Sequence, residues 1–204
     1  MTLKFYTNPM SRGQIARWAL HEAGADYEQV LLDYDTTMKA AAYLAVNPMG
    51  KVPAIDHDGK VVTEGAAICA YLADAFPDAG LAPTAYERAD YYRWLFFAAG
   101  PLESAITNRS MGFEVEPDKE KTVGYGNYDQ VVDALDSKFQ TDDYVCGARV
   151  TMDDVYVGAQ LVWGTQFGTL PGRDSFLAYG QRLTERTAYK SAKAIDDALI
   201  AENS

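Results

Sequence analysis

Few residues of this sequence have a type and spacing that could do chemistry, and most of those that do sit at turns. Tyr6 ends a short alternating segment. Ser11 follows the Asn8-Pro9 break, where a helix should begin. Glu64 and Gly65 occupy a strand-to-helix junction, where free amides and the helix dipole favour an anion. Taken alone, Lys51 reads as a solvated turn lysine and Val52-Pro53 as the start of an edge strand. The cysteines, Cys69 and Cys146, form no C-x-x-C pair. That pattern suggests no disulfide framework, zinc knuckle or dithiol redox centre, and both read as small core residues. His21 and His57 have no carboxylates at ligand spacing around them and read as solvated helix-surface and turn histidines, so no metal is expected.

These residues need elements to hold them. Leu3 to Tyr6 alternates as a half-buried strand, Ser11 to Gly24 has helical spacing with a serine cap and a glycine stop, and Tyr27 to Leu32 reads as a second strand. After an Ala-rich segment comes the turn Asn47 to Pro53. Ala54-Ile55-Asp56 and Val61-Val62-Thr63 then form a hairpin about Asp58-Gly59, and Ala67 to Ala75 carries helical spacing up to Pro77. The order is β-α-β-(α)-β-β-α. The breaker-rich stretch 78–84 is the expected linker between a first domain, 1–77, and a helical second domain, 85–204.

In that second domain, helices are expected from Tyr86 to about Met111 with a break at Gly100-Pro101, and over Asp118–Phe139, Thr151–Gln166, Ser175–Glu185 and Tyr189–Ala201. Thr151-Met152-Asp153-Asp154 reads as a capping box, with Asp154 reaching back to the Thr151 amide.

Composition narrows the function classes. The 204 residues are 48% hydrophobic and 23% charged, which is ordinary for a folded globular chain. A formal charge of -11 without any Lys/Arg block argues against nucleic acid and anionic lipid as partners. No apolar run reaches bilayer length and no secretory leader is seen, so a cytoplasmic location is expected.

Four motifs in order resemble the glutathione S-transferase family: Tyr6-Thr7-Asn8-Pro9-Met10-Ser11-Arg12, Asn47-Pro48-Met49-Gly50-Lys51-Val52-Pro53, Thr63-Glu64-Gly65-Ala66-Ala67-Ile68, and Gly147 followed by Thr151 to Asp154. Each is weak alone, and together they span nearly the whole chain. The resemblance implies a thioredoxin-like glutathione-binding domain followed by an all-helical one. It also implies glutathione as co-substrate and a homodimer.

The resemblance further implies a cis Val52-Pro53 peptide that turns the Val52 main chain toward the cysteinyl unit of glutathione. Glu64 would hold the γ-glutamyl ammonium, and the Gly65 amide its carboxylate. Serine or threonine is usual at Gly65, so one hydrogen bond, about 1 kcal/mol of affinity, is expected to be missing. Lys51, and less readily Lys39, would meet the glycyl carboxylate. Two hydroxyls could stabilise the thiolate, and Ser11 is favoured over Tyr6 because a helix N-terminus acts on the same sulfur. A serine rather than a cysteine disfavours the branches that form a mixed disulfide with glutathione. The second substrate, a small hydrophobic electrophile, is expected against Met10, Phe97 and Trp163, with Tyr92, Phe96 and Phe167 as further candidates. The alternative is a non-catalytic docking protein on the same fold.

Overall fold

The computed structural model describes residues 2–202. By contact it divides into two units, Met1–Ala82 with Thr184–Ser204, and Pro83–Leu183. The last helix, which the sequence reading grouped with the helical half, therefore packs on the first unit.

That first unit runs β1 (Leu3–Thr7), α1 (Gly13–Glu22), β2 (Glu28–Leu31), α2 (Ala41–Leu44), β3 (Ala54–His57), β4 (Lys60–Thr63) and α3 (Gly65–Ala75), and is completed by α9 (Thr187–Glu202). The sheet order is β2-β1-β3-β4, with β1 and β2 parallel and the other pairs antiparallel. This is the expected β-α-β-α-β-β-α order. Alternation along β1 sends Leu3, Phe5 and Thr7 to a fully buried face and Lys4 and Tyr6 to a partly covered one.

Helix α1 buries Ile15, Ala16, Arg17, Trp18, Ala19 and Leu20, nearly its whole circumference, because α3 and α9 both pack on it. A buried charge pair fixes α9: Arg17 Nε lies 3.0 Å from Asp196 Oδ1, with both side chains 1% exposed. The guanidinium also donates to the Tyr27 hydroxyl at 3.0 Å and lies over the Phe5 ring. Burial raises the Asp196 carboxyl to about 6, with Arg17 opposing. Such a pair stabilises little against an apolar equivalent, but losing one partner strands the other charge. Glu22 adds a second tie, accepting from Arg186 through two nitrogens at 2.6 Å and from Trp18 Nε1 at 2.9 Å.

Both histidines differ from expectation. His57 is 8% exposed, because alternation in β3 puts it on the covered face with Ile55; its Nδ1 meets the Tyr71 hydroxyl at 2.9 Å and its ring stacks on Phe76. His21 is half-buried between Ser191 (2.7 Å) and Tyr27 (3.2 Å), and burial together with Arg17 lowers its pKa.

The second unit is built of helices: α4 (Arg88–Phe97), α5 (Glu103–Ser110), α6 (Tyr128–Thr141), α7 (Met152–Gln166) and α8 (Asp174–Thr184). The Gly100-Pro101 break is a π-helical stretch, Ala98–Leu102, that joins α4 to α5. Helix α6 starts ten residues later than the expected Asp118, since Gly126 at φ +67° breaks the chain and Asn127 caps the helix by accepting from the Gln130 amide at 2.9 Å.

Helix α7 is the unit's centre, buried from Met152 to Leu161. The expected reach-back bond is present, Thr151 N to Asp154 Oδ2 at 2.7 Å, and Asp154 also accepts from Val145 N at 2.7 Å and Tyr179 Oη at 2.9 Å. Asp153 beside it is wholly buried and neither of its carboxyl oxygens has a hydrogen-bond partner among the described residues, so burial pushes its pKa well up.

One surface pair of this unit reports on acid stability. Arg149 donates to Glu87 from Nε at 2.9 Å and Nη2 at 2.5 Å, which pulls the Glu87 carboxyl from 4.5 down to about 2. A depressed carboxyl means that the folded chain binds fewer protons than the unfolded one, so the pair's stabilisation is complete above the ordinary value and fades as pH falls toward the depressed one. Arg149→Met should therefore unfold at lower urea concentration than the parent near neutrality, with the gap closing as pH drops from 4.5 toward 2. A gap that stays constant over that window would contradict the assignment.

Candidate functional site

The register of the sheet gathers the sequence-predicted residues. Tyr6 pairs with Ala54, and Ala54 with Thr63. Since β1 runs opposite to β3, and β3 opposite to β4, the loop after β1, the turn before β3 and the junction after β4 all leave the sheet at one edge. Ser11, Lys51, Val52, Pro53, Glu64 and Gly65 lie on those three segments.

The loop after β1 is held by its own side chains. Asn8 Nδ2 donates to the Leu32 carbonyl at 2.9 Å, and Asn8 Oδ1 accepts from the Met10 amide at 2.9 Å. Tyr34 Oη donates to the Met10 carbonyl at 3.0 Å, and Gln14 Nε2 to the Pro9 carbonyl at 2.6 Å. Ser11 Oγ donates to the Asn8 carbonyl at 2.6 Å and accepts from the Gly13 amide, the first of α1, at 2.9 Å; the N-cap position itself is Arg12, one residue later than the expected Ser11. Gly13 is required there: a Cβ would lie 2.0 Å from Thr7 Oγ1 and 2.9 Å from Ser11 Oγ. Tyr6 has a different setting. Its ring lies 5.4 Å from that of Tyr43 and packs on a small cluster of Leu32, Met38, Tyr43 and Ala54.

In the second segment the Val52–Pro53 peptide is cis. The Lys51 carbonyl accepts from Tyr43 Oη at 2.6 Å and Asn47 Nδ2 at 2.8 Å, which fixes the turn; the Lys51 side chain is exposed and its ammonium has no partner among the described residues. The Lys39 ammonium is already occupied, donating to the Gly50 carbonyl at 2.8 Å.

At the third segment Glu64 precedes α3 with φ +66° and ψ +119°, and its exposed side chain makes no capping bond. Asp58, the other described non-glycine at positive φ, sits in the hairpin turn, where that conformation is ordinary. Glu64 has no such local reason. Holding it there costs on the order of 1–3 kcal/mol. The Gly65 amide is the first of α3 and has no acceptor within the helix.

Met10 is 73% exposed in the first unit. In the second, Phe97 packs edge-on against Trp94 and Trp163 is half-buried, whereas Phe96 and Phe167 are exposed. Among the described residues no group of three or more His, Cys, Asp or Glu could hold a metal ion, and no helix is long and apolar enough to cross a membrane. Cys146 is a poor nucleophile, since burial pushes its thiol up to about 12.

The family model of the glutathione S-transferase N-terminal domain matches residues 1–74. Glutathione S-transferase GstA of Escherichia coli O157:H7 is 30% identical over 206 residues, spanning 98% of this chain and 98% of its own. The chain belongs to the glutathione S-transferase family. Among solved structures, a glutathione transferase from Methylococcus capsulatus strain Bath aligns at TM-score 0.78 and 27% identity, over 97% of this chain and 100% of that one. A sphingomonad glutathione S-transferase complexed with glutathione aligns at 0.77 and 27% identity, over 95% and 98%.

Two features of the site in this glutathione S-transferase family member escape sequence reasoning. The Glu64 backbone conformation leaves no trace in residue type, and the double anchoring of Asn8 shows only as an Asn-Pro break. The first is open to test through stability. Glu64→Gly should relieve the backbone and raise stability by about 1 kcal/mol relative to Glu64→Ala in urea unfolding. Equal or lower stability for the glycine variant would mean that the conformation carries no strain.

Proposed function

We propose that this protein is a glutathione transferase whose first unit binds glutathione and activates its thiol as the thiolate, for conjugation to, or reduction of, a small hydrophobic electrophile. The observation that carries this reading is Glu64. A carboxylate held at a costly φ, exposed and without a partner among the described residues, beside the free amides of a helix start, is arranged for a ligand bearing both an ammonium and a carboxylate. The γ-glutamyl group of glutathione is such a ligand. The Val52 main chain would pair with the cysteinyl unit next to Pro53, Lys51 would meet the glycyl carboxylate, and the Gly65 amide the γ-glutamyl carboxylate.

A thiol titrates near 8.5, each unit of depression corresponds to about 1.36 kcal/mol, and a hydrogen bond to a charged group contributes roughly 1.5–3 kcal/mol. One hydroxyl can thus bring the sulfur close to neutral pH. Ser11 is the favoured donor: the Gly13 amide polarises its oxygen and α1 points its N-terminus at the same place. Tyr6, whose ring is packed with Tyr43, is the alternative. Met10, Phe97 and Trp163 are carried as the electrophile's contacts on residue type. A cytosolic two-fold dimer follows from the same reading, to be checked by sedimentation.

Retention on immobilised glutathione with turnover of a generic aryl halide tests the activity, and retention without turnover would favour the docking alternative. Ser11→Ala should lower kcat far more than it weakens glutathione binding and should move the acidic limb of the rate profile toward about 8.5, while Tyr6→Phe leaves that limb in place. A limb that moves in Tyr6→Phe and not in Ser11→Ala reverses the assignment. Glu64→Ala should raise the glutathione KM about tenfold, by loss of roughly 1.5–3 kcal/mol of binding.

A further inference from the structure

In the structure the Ser11 proton is not free to serve a sulfur, because it is donated to the Asn8 carbonyl at 2.6 Å. One lone pair of Ser11 Oγ is taken by the Gly13 amide, which leaves a single acceptor direction open. A thiol could use that direction as a donor without disturbing the Asn8 bond. A thiolate cannot donate and must draw the Ser11 proton away from the carbonyl, which a charge-assisted bond is strong enough to do. Whether Ser11 distinguishes thiol from thiolate therefore depends on where the Asn8 carbonyl is held.

That carbonyl also accepts from Thr7 Oγ1 at 3.5 Å, and its residue is anchored by its own side chain. Asn8 Nδ2 reaches across to the Leu32 carbonyl just past β2, and Asn8 Oδ1 closes an Asx turn on the Met10 amide. One side chain thus ties the loop both to the end of β2 and to the turn that leads into Ser11. We propose that Asn8 is the positioning residue for Ser11: it holds the serine hydroxyl's hydrogen bond on its own carbonyl in the absence of a thiolate and sets the rotamer from which that O–H turns its hydrogen bond to sulfur. Asn8 touches neither the sulfur nor the electrophile and acts only through Ser11. The inference rests on the reading of Ser11 given under Proposed function.

The test is a double-mutant cycle between Asn8→Ala and Ser11→Ala, read as the pH profile of kcat with the aryl halide and as the glutathione KM. In the parent, Asn8→Ala should lower kcat about tenfold and shift the acidic limb upward, with the KM changed less than about twofold. In the Ser11→Ala background the same change should alter kcat less than about twofold and leave the limb where it is. Equal losses in both backgrounds, or a lower melting temperature with an unmoved limb in the parent, would make Asn8 a purely structural anchor and overturn the proposal. If Ser11→Ala itself leaves the limb in place, the Ser11 reading falls and this inference with it. If Ser11→Ala moves the limb and Asn8→Ala does not, this inference alone fails. Should Asn8→Ala not fold, Asn8→Ser keeps an acceptor for the Met10 amide while losing the Leu32 tie, and is judged by the same outcomes.

Discussion

The hydrogen-bond register of the four-stranded sheet is the constraint on which the site depends. With Tyr6 opposite Ala54 and Ala54 opposite Thr63, three separate segments of chain must emerge together at one edge. A slip of one residue in β3 would turn Ile55 and His57 out of the core and carry Pro53 away from Asn8 and Glu64. The buried face enforces the register: Leu3, Phe5, Ile55 and His57 are each 8% exposed or less. The chemistry at the edge thus draws its geometry from apolar burial beneath it.

Close approach is the second requirement. Helix α1 can begin directly against the end of β1 because residue 13 has no Cβ to strike Thr7. The amides of its first turn are thereby aimed at the loop that carries Ser11. Helix α1 is also clamped to α9 through Arg17 with Asp196, and to the residue just before α9 through Glu22 with Arg186. A helix buried nearly all round cannot shift to accommodate a ligand, so adjustment is left to the loop that carries Ser11.

Much of this arrangement is legible in the sequence, and the parts that are not share a cause. Alternation in β1, the Asp58-Gly59 turn, the spacing of Ile68 and Leu72 and the Thr151–Asp154 pair are local signals, and the elements built on them appear where expected. The Arg17–Asp196 pair and the packing of the last helix on the first unit depend on contacts between distant parts of the chain, which no local period records. The expected start of α6 at Asp118 fails for a local reason: glycines at 124 and 126 outweigh a polar helical pattern, and Asn127 caps the helix after them. At the site, residue types are readable but their commitments are not. Lys39 reads like Lys51 until its bond to Gly50 is seen, and nothing about a glutamate at position 64 announces a positive φ.

The central claim is that a hydroxyl at the start of α1 holds the sulfur of bound glutathione as its anion. Ultraviolet absorbance of the thiolate, followed as glutathione-loaded protein is titrated, measures this without turnover or an electrophile. The account predicts a bound thiol that ionises clearly below the free value of about 8.5, and a return to within a few tenths of that value in Ser11→Ala at saturating glutathione. A bound thiol that ionises at the free value in the parent, or one whose lowered value survives the loss of Ser11, would contradict it.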